Sequence, residues 1–127
     1  TTLWGRLPTS TARSERPDMA QFDVHRNKGP QRDSIPFVVL VQSSLFDDYR
    51  RRIVVPLVRR SVLPRKAASA GSRLNPVFRI AGMDVVLHPL DMVSVAQDQL
   101  GERIGSLAER GQDITDALDE LLTRSWG

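Results

Sequence analysis

The run from Phe37 to Leu57, FVVLVQSSLFDDYRRRIVVPL, constrains the fold more than any other part of the chain. Phe37–Gln42 opens as a near-continuous apolar, β-branched stretch, which reads as a central strand buried on both faces. A polar break at Gln42–Ser44 and a short apolar–acidic turn at Leu45–Asp48 follow. Three arginines then lead into another strand, Ile53–Leu57, whose Pro56 lacks an N–H and places that end at an edge or bulge. A second block, LNPVFRI at Leu74–Ile80, is a further β-branched and aromatic strand opened by Asn75-Pro76.

The flanking segments extend a strand-rich pattern. Phe22 and Val24 alternate with Gln21, Asp23 and His25, which gives a first strand with His25 on the polar, solvent side. Lys28–Asp33 contains Gly29-Pro30 and reads as a loop or hairpin connection. Val77–Ile80, a Gly82 turn and Val85–Leu90 form a hairpin, and Met92–Val95 starts a short strand after Asp91. Leu63–Ser72 reads as an exposed connection. Ile114, Ala117, Leu118, Leu121 and Leu122 recur at helical spacing and give one apolar stripe, opposite Asp113, Asp116, Asp119 and Glu120. Ser106 and Glu109 have capping-box spacing, although Gly111 weakens the first turns and allows a start nearer Gln112. The expected architecture is mainly β, an SH3-like barrel or antiparallel sheet of about five or more strands with one C-terminal amphipathic helix docked on it.

With 127 residues the chain holds one domain and a modest core. Zero cysteines exclude a disulfide framework and thiolate metal sites. No apolar run reaches the ~18–20 residues that cross a bilayer, which suits a cytoplasmic protein with no membrane partner. The formal net charge is +3, with a pI near 10.2, and it is unevenly spread. Arg26 to Arg79 is basic, with runs at Arg50–Arg52 and Arg59–Arg60, whereas the final helix is acidic. Arginine can neutralise phosphate, but there is no aromatic interleaving of the arginine runs for base stacking. An acidic protein partner fits that surface at least as well, and no direct sequence-specific nucleic-acid binding is expected.

Candidate catalytic groups do not converge. His25 and His88 lie far apart in sequence, and His88 precedes Pro89 at a strand end. Asp47-Asp48 reads as turn solvation and Asp84 as turn chemistry beside Gly82. No catalytic, metal or cofactor site is expected, and the chain reads as a non-enzyme. Leu45-Phe46 and Trp126 are better suited to contact: each is apolar, and each lies at a loop or at the chain end, where an anchor side chain can project.

In this order and spacing, Gln21-Phe22-x-Val24, Val41-Gln42-Ser43, Arg51-Arg52-Ile53-Val54-Val55-Pro56-Leu57, Leu74-Asn75-Pro76-Val77, Asp91-Met92-x-Ser94-Val95 and the last helix resemble the CcdB family of bacterial toxins. The resemblance implies a toxin of a type II toxin–antitoxin module that binds the A protein of DNA gyrase and traps the cleaved-DNA complex, without an active site. It implies a homodimer, with Asp91, Met92, Ser94, Val95 and Leu122 at the interface. Gyrase-binding residues map onto Trp126, Gly127, Leu45 and Phe46, although Trp126 falls beyond the family's usual aromatic position, which Thr123 occupies. The implied antitoxin has an acidic, disordered tail and would meet the basic face at Arg50, Arg51, Arg59 and Arg60. Two other classes compete: a ribonuclease toxin of the related MazF/Kid type, and a non-toxic basic nucleic-acid-binding barrel. The Gln21–His25 strand does not match the Gly-Asp-x-Val pattern of the first.

Thr1–Asp18 is rich in Ser, Thr, Arg and Pro without apolar periodicity, and too polar to offset its chain entropy. It reads as a disordered leader or an extension from cloning or a mis-assigned start, ahead of a toxin-like domain at 19–127.

Overall fold

The structure, a computed structural model, describes residues 20–43, 51–63 and 71–122. The expected leader, the Leu45–Asp48 turn, most of the Leu63–Ser72 connection and the chain end at 123–127 lie outside the described residues. Seven strands form one antiparallel sheet: β1 (Asp23–Asn27), β2 (Phe37–Leu40), β3 (Arg51–Arg59), β4 (Val77–Ile80), β5 (Met83–Leu87), β6 (Val93–Ala96) and β7 (Leu100–Ser106). The order is β4-β5-β3-β2-β1-β7, and β6 pairs with β3. One helix, α1 (Gly111–Leu122), closes the described chain. The sheet is curled into a half-barrel around its core, with the helix laid against it.

The core follows the apolar runs. Phe37, Val39, Val55, Leu57, Phe78, Val85 and Leu87 meet Ile114 and Ala117 of α1 in one buried cluster, with Met83, Met92 and Leu118 packed on its margin. At ~25 cal/mol per Å2 of apolar surface, each large member contributes ~1.5–3 kcal/mol, so the β2–β3–β5 centre and the helix stripe stabilise one another.

β3 is the organising strand, and Pro56 sits in its buried middle rather than at an edge. The Val41 N–H donates to Ile53 O (3.1 Å). With the β2–β3 register of Val39 opposite Val55 and Phe37 opposite Leu57, this turns the polar backbone atoms of Pro56 away from β2. On that far side β3 pairs with β6 from Arg51 to Val54 and with β5 from Leu57 to Arg59. Pro56 occupies the gap between these two partners. Its carbonyl still accepts the His88 N–H (3.1 Å), while the His88 carbonyl is taken by Asp91 N–H (3.0 Å). The missing donor therefore leaves no ladder bond unmade.

The polar break after β2 also has a structural function. Gln42 Oε1 accepts the Ile53 N–H (3.0 Å) and Gln21 Nε2 donates to Val41 O (3.1 Å). Two side-chain amides thus replace a backbone rung where β2 leaves the ladder.

The first strand departs from simple alternation. Asp23, Val24 and His25 are all buried, so His25 is not on a solvent face. Two register shifts between β1 and β7 flank His25, and its Nδ1 lies 2.9 Å from Gly101 O. These irregularities bend β7 over the second face of β1, which covers side chains that a flat edge strand would leave wet. Asp23 is held there by Arg103 Nε (3.2 Å) and by the Ala20 N–H (3.1 Å).

The β4–β5 turn is Ala81-Gly82, both at positive φ (52° and 77°), as a two-residue hairpin of right-handed twist requires. Asp84 is therefore a strand residue, not a turn residue, and accepts from Arg79 across the hairpin (2.9 Å).

Ser106 Oγ accepts from Ala108 N (3.0 Å), a residue earlier than a capping box requires, because a single 3-10 turn at Ala108–Arg110 precedes the helix. Gly111 starts α1 because the Phe22 ring lies against it: a Cβ there would stand 2.6 Å from Phe22 Cε2.

Candidate functional site

The residues expected to meet partners fall into three groups. Leu45, Phe46, Trp126, Gly127 and Arg50 lie outside the described residues. The other residues lie around β6, which Arg51 reaches through Ser94, and around the exit of β3, where Arg59 and Arg60 stand.

The first region is built by the turn at Pro89–Asp91, which links β5 to β6 and touches both β3 and α1. Proline at the start of this turn fixes its φ, and Asp91 N–H closes it on His88 O. The result lifts Leu90 into solvent, 73% exposed, while Met92 turns back onto the core margin. Asp91 and Ser94 are exposed and Val95 half-buried, and Leu122, 64% exposed, ends the helix that this turn touches. The fold thus brings the Asp91–Val95 segment and α1 onto neighbouring pieces of chain.

Three further apolar side chains lie on this region beyond those singled out from sequence: Leu90, Val93 (48% exposed) and Ile53 (40% exposed). Ile53 sits opposite Ser94 and Val93 opposite Val54 in the β3–β6 ladder. The signal for Leu90 was its place between Pro89 and Asp91, where a turn cannot bury it. No comparable signal marks Ile53, whose neighbours in β3 are core residues.

The outer edge of β6 is unpaired among the described residues. Its sequence, Val93-Ser94-Val95-Ala96, carries no charge, unlike the other two open edges, which carry Arg79 (β4) and Glu102 and Arg103 (β7). A β-branched edge with no charged side chain of its own, beside exposed apolar side chains, is the kind of surface that another chain covers.

The arginines of the basic set are not equivalent. Arg51 is latched across the ladder to Ser94, through Nε to Oγ (2.8 Å) and through Nη2 to the carbonyl (2.6 Å). Arg59 is half-buried, with its N–H on Ser34 O (2.8 Å) and its Nε on Asp33 O (3.0 Å). Arg60 is exposed in the 3-10 turn that follows β3. Arg52, between them in sequence, is buried.

Of the candidate catalytic groups, Asp47 and Asp48 lie outside the described residues and the two histidines lie in different parts of the fold. His25 lies in the β1–β7 layer, whereas His88 follows β5 with both backbone groups engaged. Among the described residues no cluster of His, Asp or Glu is arranged to hold a metal ion. Among them, too, no helix is long and apolar enough to cross a membrane.

The comparisons with known proteins agree with this architecture. An endoribonuclease solved in complex with its cognate antitoxin, from a mycobacterial species, shares the fold with a TM-score of 0.63. The identity is 13%, over 81% of this chain and 93% of that one. The family model described as CcdB protein matches residues 21–124, well over half of the chain, and spans all seven strands and α1. The chain belongs to the CcdB family.

Proposed function

We propose that this protein is the toxin of a type II toxin–antitoxin module, and that it acts by binding the A protein of DNA gyrase and trapping the enzyme on cleaved DNA. The observation that carries the reading is the family match over residues 21–124. Family membership and a fold shared with a toxin solved with its antitoxin support the coarse statement, a toxin with an antitoxin partner. The finer one, poisoning of gyrase, rests on the resemblance of the site residues. On this reading the chain is not an enzyme: it works as a homodimeric wedge whose apolar anchors, Trp126 with Gly127 and Leu45 with Phe46, enter the gyrase A dimer. The corner formed by β6, the Pro89–Asp91 turn and the end of α1 joins the two copies. An acidic antitoxin tail neutralises the toxin on its arginine-bearing face, and the module works in the bacterial cytoplasm.

Removal of Trp126 and Gly127 should abolish gyrase poisoning and leave the melting temperature nearly unchanged. An aromatic anchor, doubled by a twofold axis, concentrates binding free energy in a few desolvated side chains, often ~2 kcal/mol or more for each. The experiment measures growth inhibition and gyrase-mediated DNA cleavage for the truncated and intact proteins, with a melting curve for each. Undiminished cleavage by the truncated protein would move the contact to Leu45-Phe46.

A second reading, a ribonuclease toxin, is favoured by one observation: the structural neighbour is an endoribonuclease on the same fold. Incubation of the purified chain with RNA separates the two. Specific RNA cleavage, with no stabilised gyrase–DNA complex, would replace the gyrase reading.

A further inference from the structure

Surface hollows lined by described residues differ in their charge balance. The hollow between the 71–77 segment and the start of α1 contains Arg73, Arg110, Asp113 and Asp116. Its guanidiniums are tied to carboxylates, Arg110 to Asp113 (2.7 Å) and Arg73 to Glu120 (3.4 Å). The hollow between the 27–30 loop and the 95–99 segment sets Lys28 against Asp98. Another lies where β3 leaves the sheet. It encloses about 270 Å3 and is lined by Arg59, Arg60, Ser61, Met83 and Asp84. Here Asp84 is already engaged by Arg79 (2.9 Å), and Arg60 has no carboxylate within ion-pair distance among the described residues. Positive charge is therefore in excess at this hollow.

We infer that this hollow is where an acidic peptide segment of the antitoxin docks, a carboxylate side chain on Arg59 and Arg60 and an adjoining apolar side chain on Met83. The inference rests on the toxin–antitoxin reading and adds the place and chemistry of the contact. Arg59 is pre-set for it: the bonds to Ser34 O and Asp33 O fix its backbone and the plane of its guanidinium. A planar, held guanidinium binds a carboxylate through paired hydrogen bonds at small entropic cost. Met83 is half-buried on the core margin and gives the hollow an apolar, adaptable wall. That wall favours a peptide with alternating acidic and apolar side chains over a polynucleotide, which needs a longer track of cations and aromatic platforms. Arg51, by contrast, lies at the other end of β3 and has two of its donors engaged by Ser94.

The test is fluorescence anisotropy with a short labelled peptide alternating glutamate and leucine, its glutamine–leucine counterpart, and an oligothymidylate of matching charge. Arg60→Glu should weaken the acidic peptide by about tenfold or more, the worth of one lost charge-assisted pair. Lys28→Glu, the same charge change in another hollow, should alter it less than about twofold. Arg60→Gln, with a melting curve for each variant, keeps the result independent of any folding defect. Equal losses for Arg60→Glu and Lys28→Glu would overturn the site in favour of diffuse attraction. Stronger binding of the oligothymidylate, lost in Arg60→Glu, would overturn the peptide in favour of nucleic acid. Full peptide binding by Arg60→Glu would overturn the location and leave the acidic-antitoxin reading standing. A folded wild-type chain that ignores the acidic peptide would overturn both.

Discussion

Gly101 and Gly105 lie on the same strand, β7, and a propensity scale would treat them alike. Their surroundings do not. A Cβ on Gly101 would stand 2.6 Å from the carbonyl oxygen of Arg26, a backbone atom that cannot swing aside, whereas one on Gly105 would meet nothing within 4 Å. Gly101 therefore permits the close crossing of β1 and β7 that brings its own carbonyl to His25 (2.9 Å). Gly101→Ala should cost ~1–3 kcal/mol in urea denaturation, the usual range for overpacking. Gly105→Ala should change stability by no more than ~0.5 kcal/mol. Equal effects at both positions would mean that β1 and β7 are less tightly apposed than their register implies. Asp23 nearby is a second sensitive point. It is buried and shared between Arg103 and the Ala20 amide, so Asp23→Ala removes a charged acceptor from both and should cost ~1.5–3 kcal/mol.

Among the elements, α1 shows which interactions hold the fold. Its apolar stripe buries Ile114 and Ala117 completely, while Arg73 bridges from the preceding loop to Asp116 (3.9 Å) and Glu120 (3.4 Å) with its side chain 57% exposed. Burial outweighs the ion pairs by a wide margin. Ile114→Ala should cost ~2–5 kcal/mol, and Arg73→Ala ~0–1 kcal/mol. A larger loss for Arg73→Ala would show that the loop, not the stripe, docks the helix. The stripe was plain in the sequence because helical spacing of Ile114, Ala117, Leu118 and Leu121 has no other use. The β2–β3 centre was equally plain in its apolar runs. What stayed hidden depended on contacts distant in sequence. β7 gave no signal, since Leu100-Gly101-Glu102-Arg103 neither alternates nor runs apolar, and its strand character comes from pairing with β1. The burial of His25 followed from the same pairing. The edge or bulge that Pro56 suggests is absent because a proline is tolerated mid-strand where two partners meet end to end, a fact of topology and not of local sequence. Of the candidate site, the Asp91–Val95 segment was legible as a short strand after an acidic residue and Leu90 carried a turn signal beside Pro89, but nothing marked Ile53.

For the molecule as a whole, the decisive feature is an imbalance of surfaces. The curled sheet packs on α1, and Leu90, Val93 and Ile53 stand exposed on and around β6, whose outer edge is unpaired among the described residues. A chain of 127 residues has little core in reserve, and a second copy related by a twofold axis would bury this surface against itself. We therefore expect a homodimer in light scattering at micromolar concentration, with a melting temperature that rises with protein concentration, as mass action demands of a folded dimer. Leu90→Glu places a charge at the most exposed apolar point of that surface, where the monomer gains nothing from leucine. It should shift the mass to that of a monomer and remove the concentration dependence of melting, while a circular dichroism spectrum shows the sheet intact. Because the gyrase reading needs two tails held together at the dimer axis, the same variant should lose poisoning although Trp126 and Gly127 are untouched. A wild-type chain that stays monomeric would sink the dimer outright. A monomeric Leu90→Glu protein that still poisons gyrase would show that one tail suffices.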